Sequence, residues 1–404
     1  MSTRLRSTLI ILGLVFFSTN MFAQENPFKF KWDNGFKLES ADKNFKLKFG
    51  GRVQWDNAFF FQDDSVDSVI GEFKNGTEFR RLRFFNSGTI YKVVDYKMQL
   101  DFAGKLAVKD AYITINGLPG IEHLRVGHFL EPFRLEAINS SKHLTLMERG
   151  LPVNFLPERN TGIMLFDEFA DKRLSWQGGV FRRSDGLGND QEANDGYALT
   201  TRFAGLPMVN EDKSQLLHLG AGITHRVPDD KEFSVSARPE THLGEKYVST
   251  GTIEDVDNVL MFSAEAALVA GPFSVQGEYV QTEVTTSFED LSFNGYYGQV
   301  SYFLTGEHRK YKSSLAGFDR VKPKNNFGEG PGAWEVALRY SGIDLNSGDV
   351  SKMGSVEGGE MTDITLGINW YLNPASKVML NYIYSDVTDV GNASIVQARV
   401  QVDF

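Results

Sequence analysis

Val94, Tyr96, Met98, Leu100 and Phe102 alternate strictly with Asp95, Lys97, Gln99 and Asp101. A two-residue period places successive side chains on opposite faces of a β-strand, so this segment carries one apolar and one polar face. The pattern returns along most of the 404 residues. Trp334, Val336, Leu338 and Tyr340 alternate with Glu335, Ala337, Arg339 and Ser341. Ile364, Leu366, Ile368 and Trp370 keep the same step, as do Val378, Leu380, Tyr382 and Tyr384. Helical periodicity is scarce beyond the N-terminus. Strands are expected near 45–58, 78–91, 94–104, 106–116, 121–130, 160–168, 174–183 and 196–205. The second half adds 215–227, 258–270, 272–286, 295–305, 333–344, 361–372, 376–386 and 395–404. The chain therefore reads as all-β, with about sixteen strands.

A soluble β-sandwich alternates as well, but turns its polar face to bulk water. Other features favour a transmembrane antiparallel β-barrel. Tyr, Trp and Phe recur near the ends of the apolar stripes, as in the aromatic girdles of a membrane barrel. Tight joins such as Ala270-Gly271-Pro272 contrast with long polar ones at 228–257 and 345–360. That asymmetry fits short periplasmic turns and long extracellular loops. The chain stops on Val400, Val402 and Phe404, alternating with Gln401 and Asp403. An amphipathic last strand with an aromatic end is of the kind that the barrel assembly machinery recognises. A mean hydropathy of −0.27 would suit a soluble protein, but a strand that gives only alternate residues to lipid needs no higher value. No run beyond the N-terminus approaches the ~20 apolar residues of a membrane helix.

Arg4 and Arg6, followed by apolar Leu9 to Phe17, resemble a secretory signal ending at Ala23. Removing it would take the net charge from −10 to −12, because it holds two arginines and no acid. The expected organisation is a removed signal peptide over 1–23, an N-terminal periplasmic segment over 24–44 and an outer-membrane barrel over 45–404. There is no cysteine, which excludes disulfides, thiolate metal sites and a lipid-anchor cysteine.

Against that acidic total, Glu78 to Phe85 (EFRRLRFF) holds three arginines within four residues. Leu82, Phe84 and Ile90 share one parity, and Arg81, Arg83, Ser87 and Thr89 the other. With the first set on lipid, Arg81 and Arg83 project into the lumen. Arg80 has lipid-side parity and requires a bulge or an interfacial position, because Arg facing lipid at the bilayer midplane costs ~2–4 kcal/mol. In the preceding strand Phe45, Leu47, Phe49, Val53 and Trp55 face out, while Lys46, Lys48, Arg52 and Gln54 face in. Guanidinium forks match oxyanions, so such a wall can filter anions. The competing reading is an internal ion-pair strut, for which Asp95, Asp101 and Glu78 are at hand. The segment Leu304 to Gly332 adds Arg309, Lys310, Lys312, Arg320, Lys322 and Lys324; it either folds into the barrel or is a solvated basic loop.

Enzyme signatures are missing: no HExxH, GxSxG or P-loop occurs. No catalytic residue, metal ligand or cofactor is expected. Asp185, Asp190, Glu192 and Asp195 fall in a Gly-rich loop that could hold Ca²⁺, although such loops are more often solvated.

The order of "FGGRVQWD" from Phe49, "EFRRLRFFNSGTIYKVVDYKMQLDF", "KDAYITI", "LRVGHFLEPFRLE" and "SSKHLTLMERGLPVNFLPERNTGIMLF" resembles the phosphate-selective porins O and P. "GPFSVQGEY", "SYFLTGEHRKY" and "GAWEVALRYS" continue the match over nearly all of the mature chain. The resemblance implies a sixteen-stranded barrel, usually trimeric, with an eyelet of arginines and a lysine that passes anions. By position Arg80 and Arg81 match the family's strand arginines, and Lys142 its lysine on an inward-folded third loop. The founding members carry a ladder of arginines in the fifth loop. Here only Arg238 and Lys246 stand there, amid Asp229, Asp230, Glu232, Glu240, Glu245, Glu254 and Asp255, which puts strong phosphate selectivity in doubt. The expected constriction is Arg80, Arg81, Arg83 and Lys142, with Lys46, Lys48, Arg52, Arg238, Arg309 and Lys310 as secondary lumen cations. Expected partners are small anions such as phosphate, outer-membrane lipid and lipopolysaccharide, and two further copies of the chain, but no nucleic acid. Rival readings are a general porin, a barrel hydrolase and a structural or adhesion barrel.

Overall fold

The computed structural model describes residues 28–155, 157–189, 196–348 and 354–404. The proposed signal segment lies outside them. One continuous antiparallel sheet has eighteen strands, two of which, Lys29–Trp32 and Phe36–Glu39, form a hairpin at its N-terminal end. The other sixteen make the barrel. They are β1 (Phe45–Gln62), β2 (Gly76–Ile90), β3 (Val94–Asp101), β4 (Ala107–Asn116), β5 (His123–Leu130), β6 (Arg159–Phe169), β7 (Leu174–Arg182) and β8 (Tyr197–Val209). Then follow β9 (Gln215–Val227), β10 (Val256–Ala270), β11 (Phe273–Thr286), β12 (Asp290–Phe303), β13 (Ala333–Ser347), β14 (Val356–Asn373), β15 (Ser376–Val387) and β16 (Gly391–Asp403). β16 pairs with β1, Asp403 opposite Arg52, which closes the barrel. Phe404 completes the seam by exchanging backbone hydrogen bonds with Gly51 at 2.7 and 3.2 Å.

The burial pattern is the inverse of a soluble protein's. On β14, Ile364, Leu366 and Ile368 are exposed while Asp363, Thr365 and Asn369 are fully buried. Wetting such apolar stripes around a whole barrel would cost ~25 cal/mol per Å², a cost that lipid removes. The sandwich reading therefore fails on geometry, and the alternation places the apolar face against the membrane.

Most joins on the rim that holds both barrel termini are short, which marks that rim as periplasmic. One is not. The segment 304–332, between β12 and β13, is a long insertion on this side, so the expected division into short turns and long loops has an exception. It turns inward, as do the third loop (131–158) and the fifth (228–255). Phe133, Leu151, Phe155, Val235, Tyr247 and Val248 from the two loops pack into one apolar cluster with Val259, Met261, Val280, Val284, Phe293 and Ile343 of the wall. The long turn adds Tyr311 and Phe318 against Leu135, Leu206 and Leu216. Glycine permits the closest approaches. A Cβ on Gly222 would stand 2.4 Å from the Phe133 carbonyl oxygen, and one on Gly367 would stand 2.3 Å from Leu146.

Polar bonds fasten the same contacts. Ser263 Oγ donates to the Phe133 carbonyl at 2.8 Å, Lys377 Nζ to that of Leu144 at 2.8 Å and Asn369 Nδ2 to that of Thr145 at 2.6 Å. His218 Nδ1 and the Tyr311 hydroxyl lie 2.8 Å apart, and Arg202 donates to the Ala316 carbonyl at 2.9 Å. The insertions thus pack mainly against the inner faces of β8–β16, while the third loop also touches β1 through Arg52 and Gln54; most of the remaining open space lies along β1–β7.

Candidate functional site

A cavity of about 1090 Å³ lies between the inner faces of β1–β7 and the three insertions. None of its described lining comes from β8–β16. Fourteen Arg and Lys side chains line it against five carboxylates: Asp110, Glu148, Glu158, Glu240 and Asp319. A chain of net charge −10 has gathered its cations there. A smaller cavity of about 430 Å³ adjoins it and shares Lys109, Asn154, Glu158, Arg159, Ser234 and Val235 with it. Arg183, Arg226, Asp229, Asp230 and Glu232 give this outer chamber mixed charge.

Arg80 resolves its parity problem by a bulge. Gln54 faces Arg81 and Trp55 faces Phe79, so Arg80 is the extra residue between them. Its Nε and Nη2 donate to the two Glu148 oxygens at 2.9 and 3.0 Å. Arg81 lies 3.7 Å from Glu148 and donates to Gln54 Oε1 at 3.0 Å. Arg399 reaches the same carboxylate at 2.7 Å. Burial opposes ionisation of Glu148, yet the guanidiniums of Arg80, Arg81 and Arg399 hold it well below the usual carboxylate range. Arg83 pairs with Asp101 at 2.6 Å, and Lys142, on the inward third loop, stands 3.2 Å from Asp403.

All four cations of the expected constriction line the cavity, and each also has a carboxylate within ion-pair reach. The residues expected to form the filter are thus also members of ion pairs. Of the acids singled out from sequence, Asp101 is a partner. Asp95 instead accepts from Thr89 and Asn116 at 2.6 and 2.9 Å, and Glu78 faces His242 at 2.8 Å.

The secondary cations divide. Lys48 and Arg52 line the cavity without an ion pair among the described residues; Arg52 Nη1 donates to the Ser141 and Ser140 hydroxyls at 2.5 and 3.3 Å. Arg238 and Lys246 also line it, bonded to the carbonyls of His242 and Ser236. Of the fifth-loop acids only Glu240 touches this cavity, and Arg339 holds it. Lys46 lies off the cavity, 3.7 Å from Glu39 of the N-terminal hairpin. Arg309 is off it too, donating to Gln276 Oε1 at 2.8 Å with its guanidinium 3.7 Å from the Phe318 ring centre. Lys310 is 2.8 Å from His308, whereas Lys312 does line the cavity.

Sequence reasoning missed Glu148, the pairing of Glu240 with Arg339, and the cavity cations Lys109, Arg125 and Arg149. Strand phase could have found Arg125, which shares parity with His123 and Phe129. Of the Ca²⁺ loop, Asp190, Glu192 and Asp195 lie outside the described residues. Asp185 accepts from the Leu187 and Asn189 amides at 2.8 and 2.9 Å. Among the described residues no group of acids and histidines is arranged to hold a metal.

A closed sixteen-stranded barrel with an inward third loop and a charged lumen defines a porin. The chain belongs to the family described as phosphate-selective porin O and P, which matches residues 47–404. That places it in the outer membrane among non-enzymatic channels. It is 28% identical to Porin O of Pseudomonas aeruginosa over 402 residues, covering 90% of this chain and 88% of that protein. The fold is shared with an anion-selective porin from Comamonas acidovorans at a TM-score of 0.56 and 12% identity, covering 89% of this chain and all of that one. OmpT of Vibrio cholerae, solved also in a trimer form, gives 0.56 at 12% identity over 93% of this chain and 99% of its own.

Proposed function

We propose that this porin selects small anions, phosphate and its chemical relatives among them, by the field of its eccentric cationic lumen. The observation that carries the reading is the lining itself, fourteen cations against five carboxylates. An anion leaving bulk water needs donors to replace its hydration, and a charged ring supplies both donors and potential. Arg81 and Lys142 are assigned to the constriction, with Arg80 and Arg83 beside them. The trimer form of OmpT supports a homotrimer here, and the apolar belt a lipid partner.

The test is the zero-current potential across a planar bilayer in a salt gradient. Wild type should prefer anions. Arg81→Ala combined with Lys142→Ala should shift the potential toward cations, more so at low salt, since the Debye length is ~8 Å at physiological ionic strength. A wild-type channel without anion preference would be a general porin and would end the proposal. Preference that survives the double substitution but vanishes on deleting Arg309, Lys310 and Lys312 would move the filter into the long turn.

A further inference from the structure

We propose that the lumen wall carries a site for organic anions with a flat apolar body, centred on Arg125. This rests on the anion-selective reading and specifies a solute class for it. The Arg125 guanidinium carbon lies 4.2 Å from the ring centre of Tyr112, 4.8 Å from that of Phe166 and 5.5 Å from that of Phe129. All four residues line the large cavity. Gly127, between Arg125 and Phe129 on the same strand phase and opposite Tyr112, has no side chain to separate them. A Cβ there would stand 2.3 Å from the Ala111 carbonyl oxygen.

Among the wall arginines, Arg125 shares with Arg52 the lack of a carboxylate partner among the described residues, but Arg52 is taken up by the Ser140 and Ser141 hydroxyls. Arg80, Arg81, Arg83 and Arg159 each meet a carboxylate. Arg125 donates only from Nε, to Thr114 Oγ1 at 3.1 Å. Of the five N–H donors on a guanidinium, those on its terminal nitrogens have no acceptor among the described residues, and the group is half-buried rather than sealed. The rings flank its guanidinium and leave the terminal nitrogens as the free edge of the fork.

An inorganic oxyanion would use the fork but has no apolar surface to set against the rings. A solute with a carboxylate, phosphate or phosphonate head on a flat apolar body uses both. Its head takes paired donors from the guanidinium edge, and its body covers the part of the half-buried Tyr112 and Phe166 rings that still faces the cavity. The site is built for that combination.

The test compares two blockers with the same head, methylphosphonate and phenylphosphonate, on the chloride current of the full-length reconstituted channel, at a pH where both are dianions. Phenylphosphonate should block at roughly ten-fold lower concentration, the scale of a ring contact beside a desolvated cation. Tyr112→Leu with Phe166→Leu keeps the charge and an apolar wall. It should bring the two blockers to within about two-fold of one another while methylphosphonate block and the salt-gradient potential stay unchanged. Should that variant fail to insert, Arg125→Lys keeps the charge without the flat fork and should likewise lose the phenyl preference. Equal block by both phosphonates in an anion-selective wild type overturns the aromatic site and leaves the channel reading intact. A phenyl preference that survives the substitutions overturns it too. A wild type with neither block nor anion preference overturns both.

Discussion

The two halves of this barrel are built from the same alternating strands and do opposite things with their inward polar residues. Behind β8–β16 most inward charges are sealed, and several of them are matched in ion pairs. Arg202 and Glu265 meet at 2.5 Å with His218 2.9 Å from the same carboxylate, all three essentially without solvent exposure. Along β1–β7 the inward charges face a cavity, and cations outnumber acids. The difference does not lie in the strands. It lies in which inner faces the third loop, fifth loop and long turn cover. A covered polar group must find its partner in protein, because a buried unmatched charge costs several kcal/mol. An uncovered one can use water, and so remains available to a solute. The cavity is the part of the lumen that the insertions line but do not fill.

The largest expected effect comes from breaking the covered side. Glu240 ties the fifth loop to three strands, β13, β14 and β16. It accepts from Arg339 Nε at 2.9 Å and from the Ser341 and Thr365 hydroxyls at 2.6 Å each. Its amide donates to Asp363 Oδ2 at 2.8 Å, and its carbonyl accepts from Gln397 at 2.9 Å. Among the described residues, Glu240→Ala leaves the fully buried Arg339 with only the Glu136 carboxylate, at 3.2 Å. Removing one partner of a buried pair costs about 3–5 kcal/mol. The variant should lose its compact band on unheated gels at a markedly lower temperature than wild type, and its single-channel current should become noisy as the loop comes loose. An unaltered melting temperature and a quiet current would show that the buried pairs do not hold the insertions.

The strands, their phase and the parity conflict at Arg80 were legible in the sequence because each is a local matter of parity; that a bulge rather than an interfacial position resolves the conflict came from the register. Gln54, Trp55, Phe79 and Arg81 could not otherwise alternate across one ladder. The covering of β8–β16 was not legible. On β11, Gln276 and Glu278 share their inward phase with Val280 and Val284, a change from polar to apolar that marks where a loop packs, but nothing local says which loop. The partners of the expected filter residues were hidden for the same reason: Glu148 meets Arg80 across 68 residues of sequence and Arg399 across 251. The candidate cations could thus be found by phase, while their pairing depended on chain geometry that only the folded barrel supplies.

An intermediate effect should separate paired from unpaired cations within the open wall. Lys48→Gln with Arg52→Gln removes two charges that have no ion-pair partner among the described residues, and should lower the anion-to-cation permeability ratio roughly two- to three-fold at low salt. Arg83→Gln with Asp101→Asn removes a pair at 2.6 Å and leaves the net charge as it was, so its reversal potential should stay near that of wild type. An equal shift from both variants would mean that the wall acts through particular side chains rather than through its summed field.

The smallest effect should be the titration of Lys142, one of the fourteen lining cations. Burial pushes its ammonium down to about 8; Asp403 opposes that shift, and Arg52 and Arg320 reinforce it. His143, its neighbour on the third loop, faces Asp319 at 3.3 Å, and Arg320 also grips Asp403. A lysine is cationic below its pKa and neutral above it, so anion preference should fall slightly as pH rises through about 8. Lys142→Arg should abolish that step, because a guanidinium stays protonated throughout. Lys142→Met should show at every pH the selectivity that wild type reaches only on the alkaline side. If Lys142→Arg retains the step, the titrating group is another one, and Lys142 belongs with the matched charges of the covered half rather than with the open wall.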